Sequence, residues 1–295
     1  NVPALTVQDM KFPGATPALK LACGENASRG VPGQSATRAG LMRDYRAALI
    51  NALDYSRRWE DWRARGTGEP PRRDVGLDNI AAALRGDLSF QIHCYRADDM
   101  LQLIKLSHEF GFRIGAFHHA NEAFKIAPEL TKEGIAVITW AGDWSGYKAE
   151  AYDSIMETPA FVEAVGGVVA MHSDDANLVQ HLNQEAARSM AAGRAVGLDV
   201  PEARAIAWVT LNPAKILGIA DRTGSLEAGK MADLILWDAN PFSVYALPDL
   251  VFIDGVQVHD RLASPKPPQS DFELGIVRRR APAAYPPPKG LGSKP

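Results

Sequence analysis

The sequence has few cysteines, no long apolar run and no excess of positive charge, and each shortage excludes a class of protein. Two cysteines among 295 residues are too few for a disulfide-rich scaffold. No apolar run approaches the ~18 residues of a membrane-spanning helix. Lys and Arg number 32 against 35 Asp and Glu, so the clustered positive charge that binds nucleic acids or membrane surfaces is missing.

The remaining composition is that of an ordinary globular protein, with 46% hydrophobic and 23% charged residues and therefore enough apolar side chains for a large core. The length fits two domains or one α/β barrel, which commonly runs to ~250 residues. A G-x-S-x-G turn does not occur in the sequence, which argues against a hydrolase with a serine nucleophile on an open sheet.

Short apolar runs alternate with longer helical stretches over most of the chain. The runs predict strands at residues 18–23, 90–94, 113–117, 136–140 and 168–171, and helices are predicted at 39–65, 97–110, 177–196 and 201–217. Strand–helix alternation predicts a parallel sheet with helices outside it, as an open doubly wound sheet or a closed barrel.

The C-terminal part of the sequence changes in character. Short strands are predicted at residues 231–237 and 250–257, and the pair Asp254-Gly255 marks a tight turn. We therefore expect a small β-rich appendage. From about residue 263 the sequence is rich in proline, which predicts an extended, weakly ordered tail.

Histidines collect where the predicted strands end. His93 lies near the end of its strand, His118 and His119 just past the end of theirs, and His172 and Asp174 follow the last one. In a parallel barrel the strand ends of one face meet in a single pocket. Imidazole and carboxylate suit Zn²⁺ or a similar divalent ion, so the spacing predicts a metal site. If Asp174 points inward, alternation along the strand directs His172 inward as well.

Six segments together resemble the amidohydrolase superfamily, and more narrowly its imidazolonepropionase-like and prolidase-like members. They read LKLACGEN, IHCYRADDM, FHHANEAFK, HSDDAN, TLNPAKILGI and GSLEAGKMADLILWD. The resemblance implies an α/β fold, a partial TIM-type barrel in which strands 4–8 are visible, with a small C-terminal β-sandwich. The implied parts are the barrel at residues 1–218, the sandwich at 219–262 and the proline-rich tail at 263–295.

The resemblance also implies a metal site with one or two divalent ions, zinc being the favoured metal. The positions that match the family's ligands are Lys20, either His118 or His119, His93 and Asp174. In the family, the lysine that Lys20 matches is often carboxylated, and Glu25 is the alternative ligand at this place. Asp174 would also transfer the proton. Candidates for substrate binding are Arg96, Trp140, Tyr147 and His172, although the two aromatics could equally serve packing.

One family motif is absent, because no H-x-H occurs in these residues. We therefore expect the first three strands to lie upstream, this chain alone to be inactive and the full-length parent to be active. The implied activity is metal-dependent hydrolysis of a C–N bond in an amide, cyclic amide or dipeptide. The alternative is a degenerate or partial barrel without catalysis, which binds a ligand or serves as a scaffold.

The expected partner is a small-molecule substrate, with no nucleic acid and no membrane, and a homo-oligomer is left open. The resemblance implies an exported protein, periplasmic or secreted, with the cytoplasm as the alternative. Cys23 and Cys94 fall on the helix-facing side of adjacent predicted strands. We expect them to be buried thiols rather than a disulfide.

Overall fold

The computed structural model of the chain describes residues 6–28, 37–142 and 148–263. The strands are β1 (Ala18–Ala22), β2 (Ser89–Cys94), β3 (Ile114–His119), β4 (Ala136–Thr139), β5 (Val169–Met171), β6 (Leu234–Trp237), β7 (Pro248–Ile253) and β8 (Val256–Asp260). The α-helices are α1 (Gly24–Ser28), α2 (Arg38–Arg65), α3 (Val75–Arg85), α4 (Ala97–Phe110), α5 (Ala127–Glu133), α6 (Thr158–Ala164), α7 (Leu182–Ala195), α8 (Glu202–Ala207) and α9 (Leu211–Ile216). Within these described ranges, no helix combines the length and the apolar character needed to cross a bilayer.

The first five strands form one sheet in chain order, and every neighbouring pair is parallel. Helices connect successive strands, so the predicted α/β class is confirmed. Adjacent parallel strands in sequential order, joined through helices, are consistent with part of a TIM-type barrel. All five predicted strands are present, and β3 runs two residues further than predicted, to His119.

The helix α2 lies between α1 and α3 in the connection from β1 to β2, and it is capped at both ends. The Thr37 side chain accepts a hydrogen bond from Gly40 N at 3.1 Å, and Gly66 ends the helix with a φ of 67°, a left-handed conformation that glycine adopts at little cost. The hydroxyl of Tyr45 donates to Ala22 O. Because of that bond, α2 is tied directly to the last residue of β1.

Two predicted helices are broken into shorter ones. The segment 177–196 begins with a 3₁₀ turn, Leu178–His181, before α7, and the segment 201–217 divides into α8 and α9. Thr210 between the latter two has a non-helical backbone, with φ −132° and ψ −83°. Pro213 also lacks the N–H that a continuous helix would bond at this point.

The main core lies between the parallel sheet and its helices. Alternate residues of the strands, among them Phe90, Ile92, Phe117 and Val137, are buried there against apolar helix residues. Because side chains alternate across a strand, the intervening positions face the other side of the sheet. That other side carries His93 and His118, which are candidate metal ligands in the sequence.

Cys23 and Cys94 form a disulfide, so the expectation of two free thiols is wrong. Cys23 directly follows β1 and Cys94 ends β2, and Cys23 N donates to His93 O at 2.8 Å. This pairing brings the two Cα atoms to 5.1 Å, within the distance that a disulfide spans. Both cysteines are buried, so the bridge joins two neighbouring strand ends beneath the helices.

The strands β6, β7 and β8 form a separate antiparallel sheet. Asp254 and Gly255 both have positive φ, 51° and 75°, and form the predicted turn between β7 and β8. The predicted appendage therefore exists, but among the described residues it is one three-stranded layer, without the second layer that a β-sandwich requires. Of the predicted tail, residues 264–295 lie outside the described residues.

Candidate active site

Four histidines meet at the carboxyl ends of the parallel strands. His93 and His118 are paired in register across β2 and β3, and His172 directly follows β5. The ring of His119 lies 4.0 Å from that of His93 and 4.8 Å from that of His172, measured between centroids. The rings of His118 and His172 are 6.5 Å apart. We call His93, His118, His119 and His172 the histidine cluster.

The position of His93 follows from strand alternation. Phe90, Ile92 and Cys94 of β2 lie in the core against the helices, whereas Gln91 and His93 alternate with them and lie on the opposite face. His118 Nε2 and Gln91 Oε1 are hydrogen-bonded at 2.8 Å. Gln91 thereby fixes the orientation of the His118 ring.

His119 reaches the cluster through an unusual backbone conformation. By alternation it would share the helix-facing side with Phe117, but its φ is 69°, and the φ of Ala120 is 38°. Such left-handed values are uncommon for residues other than glycine. Because the chain turns at this residue, the ring of His119 packs against His93 instead, and both candidate histidines of the motif lie in the cluster.

The cluster histidines are held as neutral imidazoles. Burial, together with the charges of Lys148 and Lys20, lowers the pKa of His93 to about 4. Burial and the charge of Lys20 lower the pKa of His118 to about 4. The pKa of His172 falls to about 3, and that of His119 also lies below its usual range, for the same principal reason. A neutral ring keeps the nitrogen lone pair that a metal ion needs.

Three ring nitrogens of the cluster are buried without a hydrogen-bond partner: His93 Nε2, His119 Nδ1 and His172 Nε2. A buried polar atom without a partner costs free energy, and an imidazole nitrogen of this kind can be satisfied by a metal ion. The donor type fits zinc. In the described part of the chain, however, no three His, Cys, Asp or Glu residues form a group whose geometry could hold a metal ion as it stands.

Lys20 and Asp174 differ in their relation to the cluster. Lys20 lies on an exposed part of β1, and its positive charge lowers the pKa of all four histidines. Asp174 is exposed and has a φ of 51°. Because β5 ends at Met171, strand alternation no longer governs Asp174, and only His172 joins the rings. Asp175 accepts from two backbone amides at 2.8 Å.

The candidates for substrate binding differ in their distance from the histidine cluster. Trp140 is buried, and its ring lies 4.5 Å from that of His172 and 4.8 Å from that of His119. Arg96 instead pairs with Asp98, with Nε 2.9 Å from Oδ1. Tyr147 lies outside the described residues.

The sequence reasoning missed Tyr95 and Lys148. The ring of Tyr95 stacks on that of His119 at 5.0 Å and meets that of His93 edge-on at 4.9 Å. Lys148 Nζ donates to Tyr95 Oη at 3.0 Å. The position of Tyr95 two residues after His93, within IHCYRADDM, was a signal in the sequence. No local pattern marks Lys148, which comes to the cluster through the fold.

Buried carboxylates hold the loops that follow the strands. Glu122 Oε2 accepts from Ala97 N at 2.9 Å, where α4 begins. Glu185 Oε2 accepts from Ala141 N at 2.8 Å and from Gly142 N at 2.7 Å, just after β4. Charge-assisted hydrogen bonds of this kind are stronger than neutral ones. They fix the backbone at the start of α4 and directly after β4.

Comparison with known proteins finds relatives among the amidohydrolases. The family model described as "Amidohydrolase family" matches residues 155–259. The amidohydrolase tasK of Hapsidospora irregularis is 35% identical over 271 residues, covering 84% of this chain and 26% of that protein. An amidohydrolase structure from Thermotoga maritima is 32% identical with a TM-score of 0.73, covering 83% of this chain and 63% of the other. An adenosine deaminase from Xanthomonas campestris with bound zinc is 16% identical with a TM-score of 0.50, covering 81% and 60%.

The fold and the site define the class of this protein: it is an α/β protein with a parallel sheet and a histidine cluster at the ends of the strands. The family model, the relative at 35% identity and the structure at 32% identity support membership of the amidohydrolase superfamily. It spans about a quarter of the length of tasK and 63% of the Thermotoga maritima chain. The deaminase likeness, at 16% identity, concerns the fold alone.

Proposed function

We propose that the full-length protein containing this chain is a metal-dependent hydrolase that cleaves a C–N bond in a small amide, cyclic amide or dipeptide. The observation that carries the proposal is the set of three buried ring nitrogens without partners in the histidine cluster. Superfamily membership supports the reaction class. We also propose that β1–β5 are strands 4–8 of a TIM-type barrel, in which these strand ends line the active site.

The metal would be held by His93, His119 and His172, whose unpartnered nitrogens lie within one ring cluster. Lys20 is the proposed further ligand, in carboxylated form, because an unmodified ammonium has no lone pair to donate. We propose zinc as the metal, which is also bound in the adenosine deaminase of similar fold. Nitrogen donors are consistent with that choice.

A divalent ion bound at this place would supply an activated water near neutral pH and polarise the scissile carbonyl. The side chains of the protein supply proton transfer, shielding from water and orientation of the rings. Asp174, whose carboxylate is exposed, accepts the proton of the attacking water and passes it to the leaving nitrogen. Trp140 and Tyr95 cover the imidazoles with aromatic rings and exclude bulk water. Gln91 keeps the His118 ring in place.

A second candidate function is ligand binding or scaffolding by a barrel without catalysis. Two observations favour it: Asp174 is exposed, and the described part of the chain contains no group of side chains ready to hold a metal ion. The same partial barrel could then bind a small molecule against its aromatic and imidazole rings.

Metal analysis of the full-length protein separates the two. We expect one or two divalent ions per chain, with metal-dependent hydrolysis of an amide and dipeptide panel. His119→Ala should lower both the metal content and the hydrolysis at least tenfold, whereas His108→Ala, at an exposed histidine paired with Glu133 at 2.8 Å, should change neither. Folded wild-type protein without metal or hydrolysis would refute the proposal and favour the second candidate.

A further inference from the structure

The turn at the end of β3 has a backbone conformation that needs support. His119 and Ala120 have positive φ values of 69° and 38°, and residues other than glycine adopt this left-handed region at a cost in free energy. Such a conformation persists where the surrounding structure holds it in place. The contacts that hold this turn therefore also determine where the His119 ring lies.

The turn is hydrogen-bonded to the segment that follows β2. Ala120 N donates to Cys94 O at 2.9 Å, and Glu122 N donates to Tyr95 O at 3.0 Å. The Glu122 side chain adds a third bond to the same segment, because its Oε2 accepts from Ala97 N at 2.9 Å. Glu122 thus binds this segment through its backbone and through its carboxylate.

The start of α4 offers a place for that carboxylate. The first N–H groups of a helix have no acceptor within the helix, and the residue before α4 is Arg96, whose side chain has no acceptor atom. The carboxylate of Glu122 takes the role of the cap, at the end where the helix dipole favours negative charge. Glu122 is buried, and its Oε1 lies 3.2 Å from Lys125 Nζ. Both carboxylate oxygens therefore have partners that fix the side chain.

The two segments joined in this way carry rings of the histidine cluster and a ring that packs on it. The Tyr95 ring stacks on the His119 ring at 5.0 Å with an interplanar angle of 15°. His93 lies two residues before Tyr95, and its ring is 4.0 Å from that of His119. Because the bonds of Glu122 fix one backbone against the other, they also fix the separation of these imidazoles.

We propose that Glu122 is a positioning residue whose carboxylate holds the left-handed turn against the start of α4 and so places the His119 ring in the histidine cluster. The consequence for metal binding rests on the proposed function, whereas the placement of the ring does not depend on a metal. Residues that orient metal ligands without binding the metal change its affinity by about 10–100-fold when they are replaced. The competing account is that Glu122 caps α4 and does nothing for the turn.

The first test measures hydrogen exchange in the full-length protein without metal. Glu122→Leu has a side chain of similar size without an acceptor, and Glu122→Gln keeps an oxygen at the same reach. We expect Glu122→Leu to speed exchange in the peptides covering 94–100 and 119–124 by about tenfold or more, the order of a hydrogen bond to a charged group. Glu122→Gln should lose less, because it keeps the bond without the charge. Faster exchange at 94–100 with unchanged exchange at 119–124 would overturn the proposal and leave the cap alone.

Further variants keep the exchange result interpretable. Glu122→Asp keeps the charge but is shorter by one methylene, so it should resemble Glu122→Leu in smaller measure. If Glu122→Leu does not fold, the comparison of Glu122→Asp with Glu122→Gln decides, and more protection of 119–124 in Glu122→Asp would contradict the proposal. Glu163→Leu makes the same substitution at a carboxylate that accepts from Trp208 Nε1, and it should leave exchange in both peptides unchanged.

The second test uses Co²⁺, whose visible absorption reports its ligand geometry as well as its affinity. Glu122→Leu should weaken Co²⁺ binding by about 10–100-fold and change the absorption bands, Glu122→Gln should recover most of the binding, and Glu163→Leu should bind as the wild type does. Unchanged affinity and bands in Glu122→Leu would refute the positioning role while the proposed function stands. If the wild type binds no Co²⁺, the proposed function fails, and the exchange result alone decides the role of Glu122.

Discussion

The two sheets of this protein differ in how completely they are enclosed. In the parallel sheet β1–β5, Ile92 and Phe117 are fully buried beneath helices, whereas in the antiparallel sheet β6–β8, Ile235 is 48% exposed and Val256 is 57% exposed. The parallel sheet also carries the histidine cluster, the disulfide and the buried carboxylates. The candidate site residues thus lie in the sheet whose surrounding packing fixes their side chains. The antiparallel sheet carries none of them.

The largest expected effect separates the two sheets by stability. Phe117→Ala should lower the free energy of unfolding by about 3–5 kcal/mol, because it leaves a cavity in a close-packed core. Ile235→Ala should lower it by less than about 1 kcal/mol, because much of that side chain is already in water. Urea denaturation monitored by circular dichroism measures both. Similar losses for the two variants would show that the antiparallel sheet is enclosed in solution.

The disulfide should give the next largest effect. Cys23 and Cys94 are 71 residues apart, and a bridge over a loop of this size restricts the unfolded chain by about 2–4 kcal/mol. The double variant Cys23→Ala/Cys94→Ala should lose that amount of unfolding free energy. Reductant should destabilise the wild type similarly and leave the double variant unaffected. A wild type insensitive to reductant during unfolding would contradict the role of the bridge.

The smallest effect concerns Glu163 of α6, which accepts from Trp208 Nε1 at 3.1 Å. Burial raises the pKa of Glu163 above its ordinary 4.5. Between 4.5 and the raised value the folded state binds more protons than the unfolded state, so stability falls as pH rises. The unfolding free energy of wild type minus that of Glu163→Gln should therefore decrease from pH 4 to pH 7. Glu129→Gln, exposed on α5, is the control.

Much of the parallel sheet could be predicted from the sequence, because its order depends on local patterns. Alternating apolar residues located β2 and put His93 opposite Ile92 and Cys94. The same patterns could not predict the disulfide, which depends on the register of Ala22 with His93 across two strands far apart in sequence. Strand alternation also could not predict the direction of the Asp174 side chain, because β5 ends at Met171 and the φ of Asp174 is positive.

The choice between His118 and His119 illustrates a different limit. Nothing in the letters HH shows that the second residue has a φ of 69°, since that conformation depends on contacts such as Ala120 N to Cys94 O at 2.9 Å. Lys148 was missed for a related reason. It lies 55 positions away from His93 in the sequence, and only the folded chain brings its ammonium to Tyr95.

The rotation at His119 has a practical consequence for anyone who searches protein families for sites of this kind. A strand that ends this way brings two consecutive side chains into one cluster, so a search that examines every second position discards one of them. Engineers who graft such a motif onto another barrel would have to transplant the turn together with the two imidazoles.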